Sequence, residues 1–324
     1  MKLATLKNGT ADGKLVVVSR DLSCAAPADH IAISLRAAIE DWAEVEARLK
    51  DLSQKVSAGV APGLMPLSFG ALDAPLPRAW QWLDGSVYNA HVELATKAYN
   101  LPDVWYDHPL MYQGMSHRFL PPEGDVFFPH AEDGIDFEGE FAVVTGAIQM
   151  GSDQVTAAQS ILLVTQLNDW SLRVSGREEM KRGYGWIHAK PACTMAPVMV
   201  TPDELGSDWQ DSRCSLDLNI YWNDEPFGRA NGVEMAFGFD ELIAHAAYSR
   251  DLPAGTVIGS GTVANAAFRE VGSSCILERR AIETLDDAPT LTRFLEEGDR
   301  VRMVASAEGG NQPFGVMNST VRIK

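Results

Sequence analysis

Residues 134–146 constrain the fold more than any other stretch, because they place acidic residues on alternate positions of a segment that becomes an apolar strand. The second half, Phe141 to Thr145, is apolar and β-branched, which is typical of a strand. Side chains at i and i+2 share a strand face, so Asp136, Glu138 and Glu140 are expected to point the same way. Neighbouring carboxylates repel, and an uncompensated buried charge is expensive. The face must therefore lie in water or meet a cation, and this stretch alone favours water.

The overall composition limits the partners. The 324-residue chain is 46% hydrophobic, enough for a proper core, and carries a net charge of −17. This charge argues against nucleic acid and anionic membranes, which bind basic surfaces. No run approaches the ~20 apolar residues of a membrane span, and residues 1–9 lack the apolar core of a signal peptide. We therefore expect a soluble, cytoplasmic protein.

The cysteines indicate neither a disulfide framework nor a zinc site. They lie far apart in the sequence and none belongs to a C-x-x-C motif. Spacing of that kind is the usual sequence signal for either arrangement. The four residues are Cys24, Cys193, Cys214 and Cys275.

The hydrophobic pattern predicts two parts. The Asn8-Gly9 pair lies between apolar segments, which predicts a hairpin near the start of the chain. Apolar residues then recur every three or four positions through residues 33–52, which predicts a helix. Glycine and proline accumulate through residues 59–78, which indicates a linker. We therefore expect a small N-terminal α+β domain over residues 1–75 and a catalytic domain over residues 76–324.

The second part is predicted to be rich in β-structure. Helical patterns cover residues 86–99 and 239–250. Short strands are expected at residues 161–167, 216–222, 256–258, 275–279 and 301–304. The strands do not alternate with long helices, so a doubly wound parallel sheet is not expected. The pattern favours a mixed, β-rich α+β fold.

Four acidic residues are candidate metal ligands: Asp84, Glu138, Glu140 and Asp169. Each lies at the end of a predicted element or on one strand face. A set of oxygen ligands without His or Cys suits a hard cation such as Mg²⁺, Mn²⁺ or Ca²⁺ rather than zinc. The chain has 44 acidic residues, so acids at caps and strand ends are also easy to find by chance. Chemistry alone leaves both interpretations open.

Other residues could complete a catalytic site. His91 follows Asp84 by seven residues, about two helical turns, so it could face the same region and act as a base. A histidine packed on a helix surface is the ordinary alternative. Lys190 has an apolar setting, where a lysine can stabilise an oxyanion. The glycine-rich run at residues 255–262 lacks the P-loop lysine, so a nucleotide role has little support.

The chain resembles the fumarylacetoacetate hydrolase family over roughly residues 76–324. The resemblance rests on several short segments in the family's order, of which the E-x-E motif followed by Asn-Asp about thirty residues later is the most specific. The matching segments are Met111-Tyr112-Gln113-Gly114, Gly134-Ile135-Asp136-Phe137-Glu138-Gly139-Glu140, Asn168-Asp169-Trp170-Ser171-Leu172-Arg173, Ala189-Lys190-Pro191, Ile243-Ala244-His245-Ala246-Ala247, Gly259-Ser260-Gly261-Thr262-Val263 and Ser274-Cys275-Ile276-Leu277-Glu278.

The resemblance implies a reaction and a fold. Members of this family hydrolyse a C–C bond in β-diketo acids such as acylpyruvates, as in aromatic catabolism, and some decarboxylate oxaloacetate. They use Mg²⁺, Mn²⁺ or Ca²⁺, typically form homodimers, and share a β-roll of mixed sheets. The resemblance thus implies a keto-acid substrate and a divalent cation, with Mg²⁺ expected first.

The resemblance also implies residue roles. Asp84, Glu138, Glu140 and Asp169 would be the metal ligands. The catalytic residues would be His91, oriented by Glu278 in a late strand, and Lys190 near the developing oxyanion. Tyr112, Arg173 and Thr262 would hold the substrate. Asp136 receives no family role, and we expect it at the solvent-exposed start of the strand.

Two departures concern the substrate. Gly176 stands where fumarylacetoacetase-type members have glutamine, and Ser116-His117-Arg118 replaces a common Ser-Asp. Both changes lie where the substrate would be held, so the resemblance implies a fumarylacetoacetate- or acylpyruvate-like β-diketo acid without fixing fumarylacetoacetate itself. The leading hypothesis is hydrolysis in which the cation chelates the dicarbonyl and His91 activates water. The alternatives are decarboxylation of a β-keto acid such as oxaloacetate, a non-catalytic protein that binds a small acid or a metal, and other lyase, hydratase or isomerase chemistry.

Overall fold

The computed structural model describes residues 1–100 and 107–324. Within these ranges the helices are α1 (Leu35–Glu40), α2 (Trp42–Ser57), α3 (Asn89–Tyr99), α4 (Gln154–Gln159), α5 (Arg173–Arg182), α6 (Phe239–Ala246), α7 (Phe268–Val271) and α8 (Ile276–Leu285). None of the described helices is long and apolar enough to cross a membrane.

The strands run through the whole chain. They are β1 (Lys2–Leu6), β2 (Lys14–Val18), β3 (Cys24–Pro27), β4 (Met65–Pro66), β5 (Trp82–Ser86), β6 (Leu110–Gln113), β7 (Glu123–Phe128), β8 (Ile135–Asp136), β9 (Gly139–Thr145), β10 (Ile161–Asn168), β11 (Ser171–Leu172), β12 (Thr194–Met195), β13 (Met199–Val200), β14 (Trp209–Gln210), β15 (Arg213–Cys214), β16 (Asp217–Trp222), β17 (Glu225–Asn231), β18 (Val257–Gly259), β19 (Arg300–Ser306) and β20 (Val316–Ile323).

One large mixed sheet organises the molecule. Its strands follow the order β4-β3-β2-β1-β13-β10-β9-β18-β5-β6. The strands of the first 75 residues join this sheet through the antiparallel pair β1–β13, so both parts of the chain share a continuous sheet. Strands β18 and β5 run parallel, whereas β9 is antiparallel to both β10 and β18. The domain boundary near residue 75 remains a prediction.

A second sheet packs against the first and closes the core. Its strands follow the order β17-β16-β19-β20-β7. The two sheets approach closely at Gly139, where an added Cβ would lie 2.8 Å from Leu218 and 2.7 Å from Ile220. Any larger residue there would require the Leu218 and Ile220 side chains to shift, which favours glycine at the centre of the E-x-E motif. The mixed, β-rich α+β fold predicted from the sequence is confirmed.

Several local predictions can be compared with the structure. The predicted hairpin is present, with Thr5 opposite Leu15 in β1 and β2. The predicted helix over residues 33–52 is two helices that meet at Asp41. The predicted strand over residues 275–279 is wrong, because these residues begin helix α8, which Cys275 caps. The run Cys275-Ile276-Leu277 suggested a strand, whereas Ile276 and Ala281 are buried on one helical face.

Candidate active site

The ends of neighbouring strands bring three carboxylates together. Asp84 lies in β5, Glu140 in β9, and Asp169 directly follows β10. Strand β9 pairs with β10, which places Glu140 opposite Leu167, and β18 joins β9 to β5. One oxygen from each of the three acids lies within 4.8 Å of the others, and all three residues are buried. The predicted acids Asp84, Glu140 and Asp169 therefore form one compact cluster, which we call the acid cluster.

A glycine on the adjoining strand makes room for this cluster. Gly259 of β18 pairs with Asp84 of β5. A Cβ on Gly259 would lie 2.3 Å from Asp84 Oδ1 and 2.3 Å from the Trp82 ring, closer than atoms can approach. The Asp84 oxygen also accepts a hydrogen bond of 3.0 Å from the amide of Gly261. The glycine-rich run noted in the sequence thus fixes the Asp84 carboxylate.

Glu140 gives the clearest indication that the acid cluster suits a cation. Its side chain is fully buried, and neither oxygen accepts a hydrogen bond from a described residue. Burial and the nearby Asp84 raise the pKa of Glu140 well above its usual range. Burial and Asp169 likewise raise the pKa of Asp84. A buried carboxylate without donors is unfavourable unless it is paired or binds a metal, so this donor set fits a hard divalent cation.

Glu138 lies beside the acid cluster but already has cationic partners. The Lys190 ammonium donates a hydrogen bond to Glu138 Oε2, and Arg173 Nη2 lies 2.8 Å from Glu138 Oε1. Burial favours the protonated acid, but Lys190 and Arg173 outweigh it and lower the pKa of Glu138. Burial disfavours the Lys190 ammonium, but Asp169 and Glu138 outweigh it and raise the pKa of Lys190. Lys190 therefore stays protonated between two carboxylates.

Asp169 accepts hydrogen bonds from three side chains. Its Oδ2 accepts hydrogen bonds from the Tyr112 hydroxyl at 2.6 Å and from Lys190 at 2.7 Å. Its Oδ1 accepts one from the Cys193 thiol at 3.0 Å. Trp186 packs on Tyr112, with ring centroids 4.9 Å apart. Tyr112 thus contacts a candidate metal ligand directly.

His91 and Glu278 come together from two helices that pack on each other. His91 lies in α3 and Glu278 in α8, and these two helices contact each other. The hydrophobic pattern and the family resemblance had both placed Glu278 in a strand. His91 Nδ1 lies 3.6 Å from Glu278 Oε1. His91 also contributes to lowering the pKa of Glu138, after Lys190 and Arg173. The arrangement is that of a base oriented by a carboxylate.

The expected location of Asp136 is wrong. Asp136 is fully buried and not at a solvent-exposed strand start. Its oxygens accept hydrogen bonds from the amides of Ile276 at 2.7 Å and Leu277 at 2.9 Å, the first residues of α8. Its Oδ2 also accepts a 2.8 Å hydrogen bond from Arg173 Nε. A helix N-terminus and an arginine therefore provide the compensation that the sequence did not reveal.

The remaining predicted residues also lie in this region. Arg173 starts α5 and bridges Asp136 and Glu138, so its described partners are carboxylates. Thr262 is buried and follows Gly261, whose amide holds Asp84. Their substrate-binding roles remain predictions. Sequence reasoning missed the contacts of Cys193 and Cys275, because the spacing of the cysteines shows no relation to Asp169 or His91.

A β-rich fold with a buried acid cluster beside a histidine–glutamate pair is typical of a metal-dependent enzyme. The chain belongs to the fumarylacetoacetate hydrolase family: residues 81–322 match Fumarylacetoacetate (FAA) hydrolase C-terminal. Residues 1–78 match Fumarylacetoacetase N-terminal domain 2. Family membership makes the chain an enzyme, and the acid cluster is a candidate divalent-cation site.

Individual relatives are distant in sequence. An uncharacterized protein of Archaeoglobus fulgidus is 25% identical over 179 residues, which are 55% of this chain and 68% of that protein. Maleylpyruvate hydrolase from Sphingobium sp. SYK-6, solved with manganese(II) and pyruvate, is 18% identical with a TM-score of 0.62, covering 99% of this chain and 98% of its own. The 5-carboxymethyl-2-hydroxymuconate delta-isomerase from Mycobacterium smegmatis is 18% identical with a TM-score of 0.60, and the match covers 100% of this chain and 99% of that protein. At these identities the solved structures establish a shared fold.

Proposed function

We propose that the protein is a metal-dependent hydrolase that cleaves a C–C bond in a β-diketo acid of the acylpyruvate type. One observation carries this proposal: the chain combines a His91–Glu278 pair with an acid cluster that contains an unpartnered glutamate and contacts a buried, protonated lysine. Such a site can activate water and stabilise negative charge on the substrate at the same time.

The acid cluster supplies the metal ligands. Asp84, Glu140 and Asp169 would hold the cation, with Glu138 beside them as the fourth predicted ligand. A bound divalent cation supplies a Lewis acid that polarises keto oxygens and stabilises an enolate. All candidate donors are carboxylates, which favours Mg²⁺, with Mn²⁺ or Ca²⁺ as alternatives. The maleylpyruvate hydrolase of similar fold was solved with manganese, which supports a cation of this class.

The histidine–glutamate pair performs the proton transfer. Glu278 Oε1 lies 3.6 Å from His91 Nδ1, so a small approach would let the carboxylate accept the Nδ1 proton and orient the ring, which leaves Nε2 free to take a proton from water. The resulting hydroxide adds to the acyl carbonyl, and the C–C bond to the neighbouring methylene then breaks. The electron pair of that bond forms an enolate, which takes back one proton. The products are a carboxylic acid and a 2-keto acid such as pyruvate.

Buried cations and donors stabilise the charge that develops. Lys190 already neutralises Glu138 and Asp169, and its ammonium is positioned to stabilise an oxyanion beside them. Tyr112 lies beneath this lysine, with the Lys190 Nζ 5.4 Å from its ring centroid. Tyr112, Arg173 and Thr262 are proposed to hold the substrate.

The test is acylpyruvate cleavage by the Mg²⁺- or Mn²⁺-loaded protein. His91→Ala is expected to lower kcat by ~10²–10⁴, the usual contribution of a general base. His30→Ala, a surface histidine of the N-terminal region, serves as the control and should retain the wild-type rate. Wild-type turnover by His91→Ala would remove His91 from the mechanism.

Decarboxylation of a β-keto acid such as oxaloacetate is the main alternative. It uses the same cation and enolate stabilisation but needs no attacking water. The His91–Glu278 pair favours hydrolysis, because decarboxylation gives a water-activating pair no task. Consumption of oxaloacetate without any cleavage of acylpyruvates would favour the alternative. Metal binding without turnover of either substrate would indicate a non-catalytic protein.

We also propose a cytoplasmic location, which the sequence led us to expect, and a homodimer, which the family resemblance implies. Light scattering coupled to size-exclusion chromatography measures the mass in solution. A mass near twice the 35.3 kDa chain supports the dimer, and a mass near a single chain contradicts it.

A further inference from the structure

We propose that His91, Cys275 and Glu278 form a second metal site, which binds a softer divalent ion such as Zn²⁺ and thereby blocks His91. The blocking effect rests on the proposed function, whereas the site itself does not. One donor atom from each of these residues lies within 4.8 Å of the other two. The three donors are a ring nitrogen, a thiol sulfur and a carboxylate oxygen.

The distances suit zinc after a small adjustment. Tetrahedral zinc has bonds of about 2.0–2.3 Å to N, O and S, so neighbouring ligand atoms lie roughly 3.3–3.6 Å apart. His91 Nδ1 and Glu278 Oε1 are already 3.6 Å apart. The Cys275 sulfur lies within 4.8 Å of both other donors, and a change in its side-chain torsion can bring it to bonding distance of an ion between them. Three protein ligands leave the fourth position of zinc to water.

Unpartnered buried atoms point toward this space. His91 Nδ1 and Glu278 Oε1 are buried and neither has a hydrogen-bond partner among the described residues. The Glu278 side chain is only 1% exposed. Buried polar atoms in native proteins are nearly always satisfied, so two such atoms that face each other call for a ligand or a proton between them. Zinc satisfies both.

The other contacts hold the donors in place. The Ser274 amide donates a 3.1 Å hydrogen bond to Glu278 Oε2, which leaves Oε1 for the ion. The Glu278 amide points at the Cys275 sulfur at 3.3 Å, which fixes the thiol at the N-terminus of α8. Burial raises the pKa of the Cys275 thiol, and the ion must displace that proton. The His91 side chain, 18% exposed, gives an ion access to the site.

The two sites differ in the ions they favour. The acid cluster offers oxygen atoms only, which suit Mg²⁺ and Mn²⁺. The second site offers sulfur, nitrogen and oxygen, a set that suits Zn²⁺ and Co²⁺. Zinc on His91 Nδ1 leaves the ring proton on Nε2, so Nε2 can no longer accept a proton from water. Zn²⁺ is therefore expected to inhibit the Mn²⁺-loaded enzyme without displacing Mn²⁺.

Cobalt provides a direct test of the sulfur ligand. The full-length, Mn²⁺-loaded protein is titrated with Co²⁺, and the sulfur-to-cobalt charge-transfer band in the near ultraviolet is recorded. Cys275→Ser keeps an acceptor at the helix cap and removes the sulfur, so the band should disappear. Cys24→Ser, a free cysteine of the N-terminal region, is the matched control and should keep the band. No band in the wild type, or a band that survives in Cys275→Ser, overturns the proposal.

Zinc binding adds a second readout that does not depend on turnover. Zn²⁺ affinity measured by calorimetry should fall about tenfold or more in Cys275→Ser, in line with the loss of a ligand contact. X-ray absorption of the wild-type zinc complex should show one sulfur at about 2.3 Å together with a histidine nitrogen. The acid cluster contains no histidine, so this spectrum separates the two sites even if Cys275→Ser fails to fold. Zinc surrounded by oxygen alone would refute the site, whatever the enzyme's substrate.

Discussion

Asp136 offers the sharpest prediction about how the site is held together. The residue joins three parts of the molecule through its two oxygens: the N-terminus of α8, Arg173, and through Arg173 the carboxylate of Glu138. Helix α8 carries Glu278, the partner of His91. Replacing Asp136 should therefore lower both the stability of the fold and the rate of catalysis.

The magnitude follows from the groups left without partners. Asp136→Ala leaves the Ile276 and Leu277 amides without an acceptor and removes one of the two carboxylates on Arg173. Breaking a buried ion pair by removing one partner costs about 3–5 kcal/mol. Asp136→Asn keeps one acceptor oxygen and loses the charge, so we expect about 1.5–3 kcal/mol, the range for hydrogen bonds to charged groups.

Urea unfolding of the metal-free proteins measures these differences, and Glu132→Gln serves as the control. Glu132 is an exposed acid near the same turn, and its replacement should change the free energy of unfolding by less than about 0.5 kcal/mol. Steady-state kinetics of Asp136→Asn should show a lower kcat with little change in KM, because Glu278 shifts relative to His91. An Asp136→Ala protein that loses less than about 1 kcal/mol would refute the reasoning, since that is the cost of a single ordinary hydrogen bond.

Two further predictions concern the acid cluster. Burial raises the pKa of Glu140, so folding favours the protonated side chain. The stability that Glu140 contributes is therefore fully present below its ordinary pKa and is lost as the pH rises through its pKa in the folded protein. Without metal, Glu140→Gln should be about 1–3 kcal/mol more stable than wild type near ~pH 8 and equal to it near ~pH 4. Saturating Mn²⁺ should stabilise only the wild type. Thermal melts measure both differences. Gly259→Ala should weaken Mn²⁺ binding at least about tenfold by calorimetry, because its Cβ would displace Asp84. Gly70→Ala is the control, since an added Cβ there would meet only Glu123, at 3.8 Å. Equal metal affinity in Gly259→Ala would show that Asp84 is not a ligand.

The sequence predicted the acids of the site better than their surroundings. Glu138 and Glu140 stand in a local motif and Asp169 follows a strongly apolar strand, so their environment is encoded nearby. Asp136 was placed wrongly because its compensating groups come from α8, about 140 residues later in the chain. Local pattern cannot reveal a partner at that distance.

Helix α8 shows a second limit. Its first residues form a short apolar run, and a run of that length does not distinguish a strand from a buried helix. The position of Cys275 beside His91 depends on the packing of α3 on α8, which no spacing in the sequence expresses. The N-terminal strands join the main sheet through the β1–β13 pair, whose residues are far apart in the chain, so no local pattern in the sequence reveals this connection either.

The central claim is that His91 activates water for addition to a carbonyl, and isotopic labelling tests it most directly. The Mn²⁺-loaded protein is incubated with an acylpyruvate in oxygen-labelled water, and the products are analysed by mass spectrometry, with His91→Ala in parallel. The mechanism predicts one labelled oxygen in the new carboxylate of the released acid, together with unlabelled pyruvate once carbonyl exchange is corrected, and loss of this product in His91→Ala. Release of carbon dioxide, a rearranged substrate without label, or an undiminished labelled product from His91→Ala would contradict it.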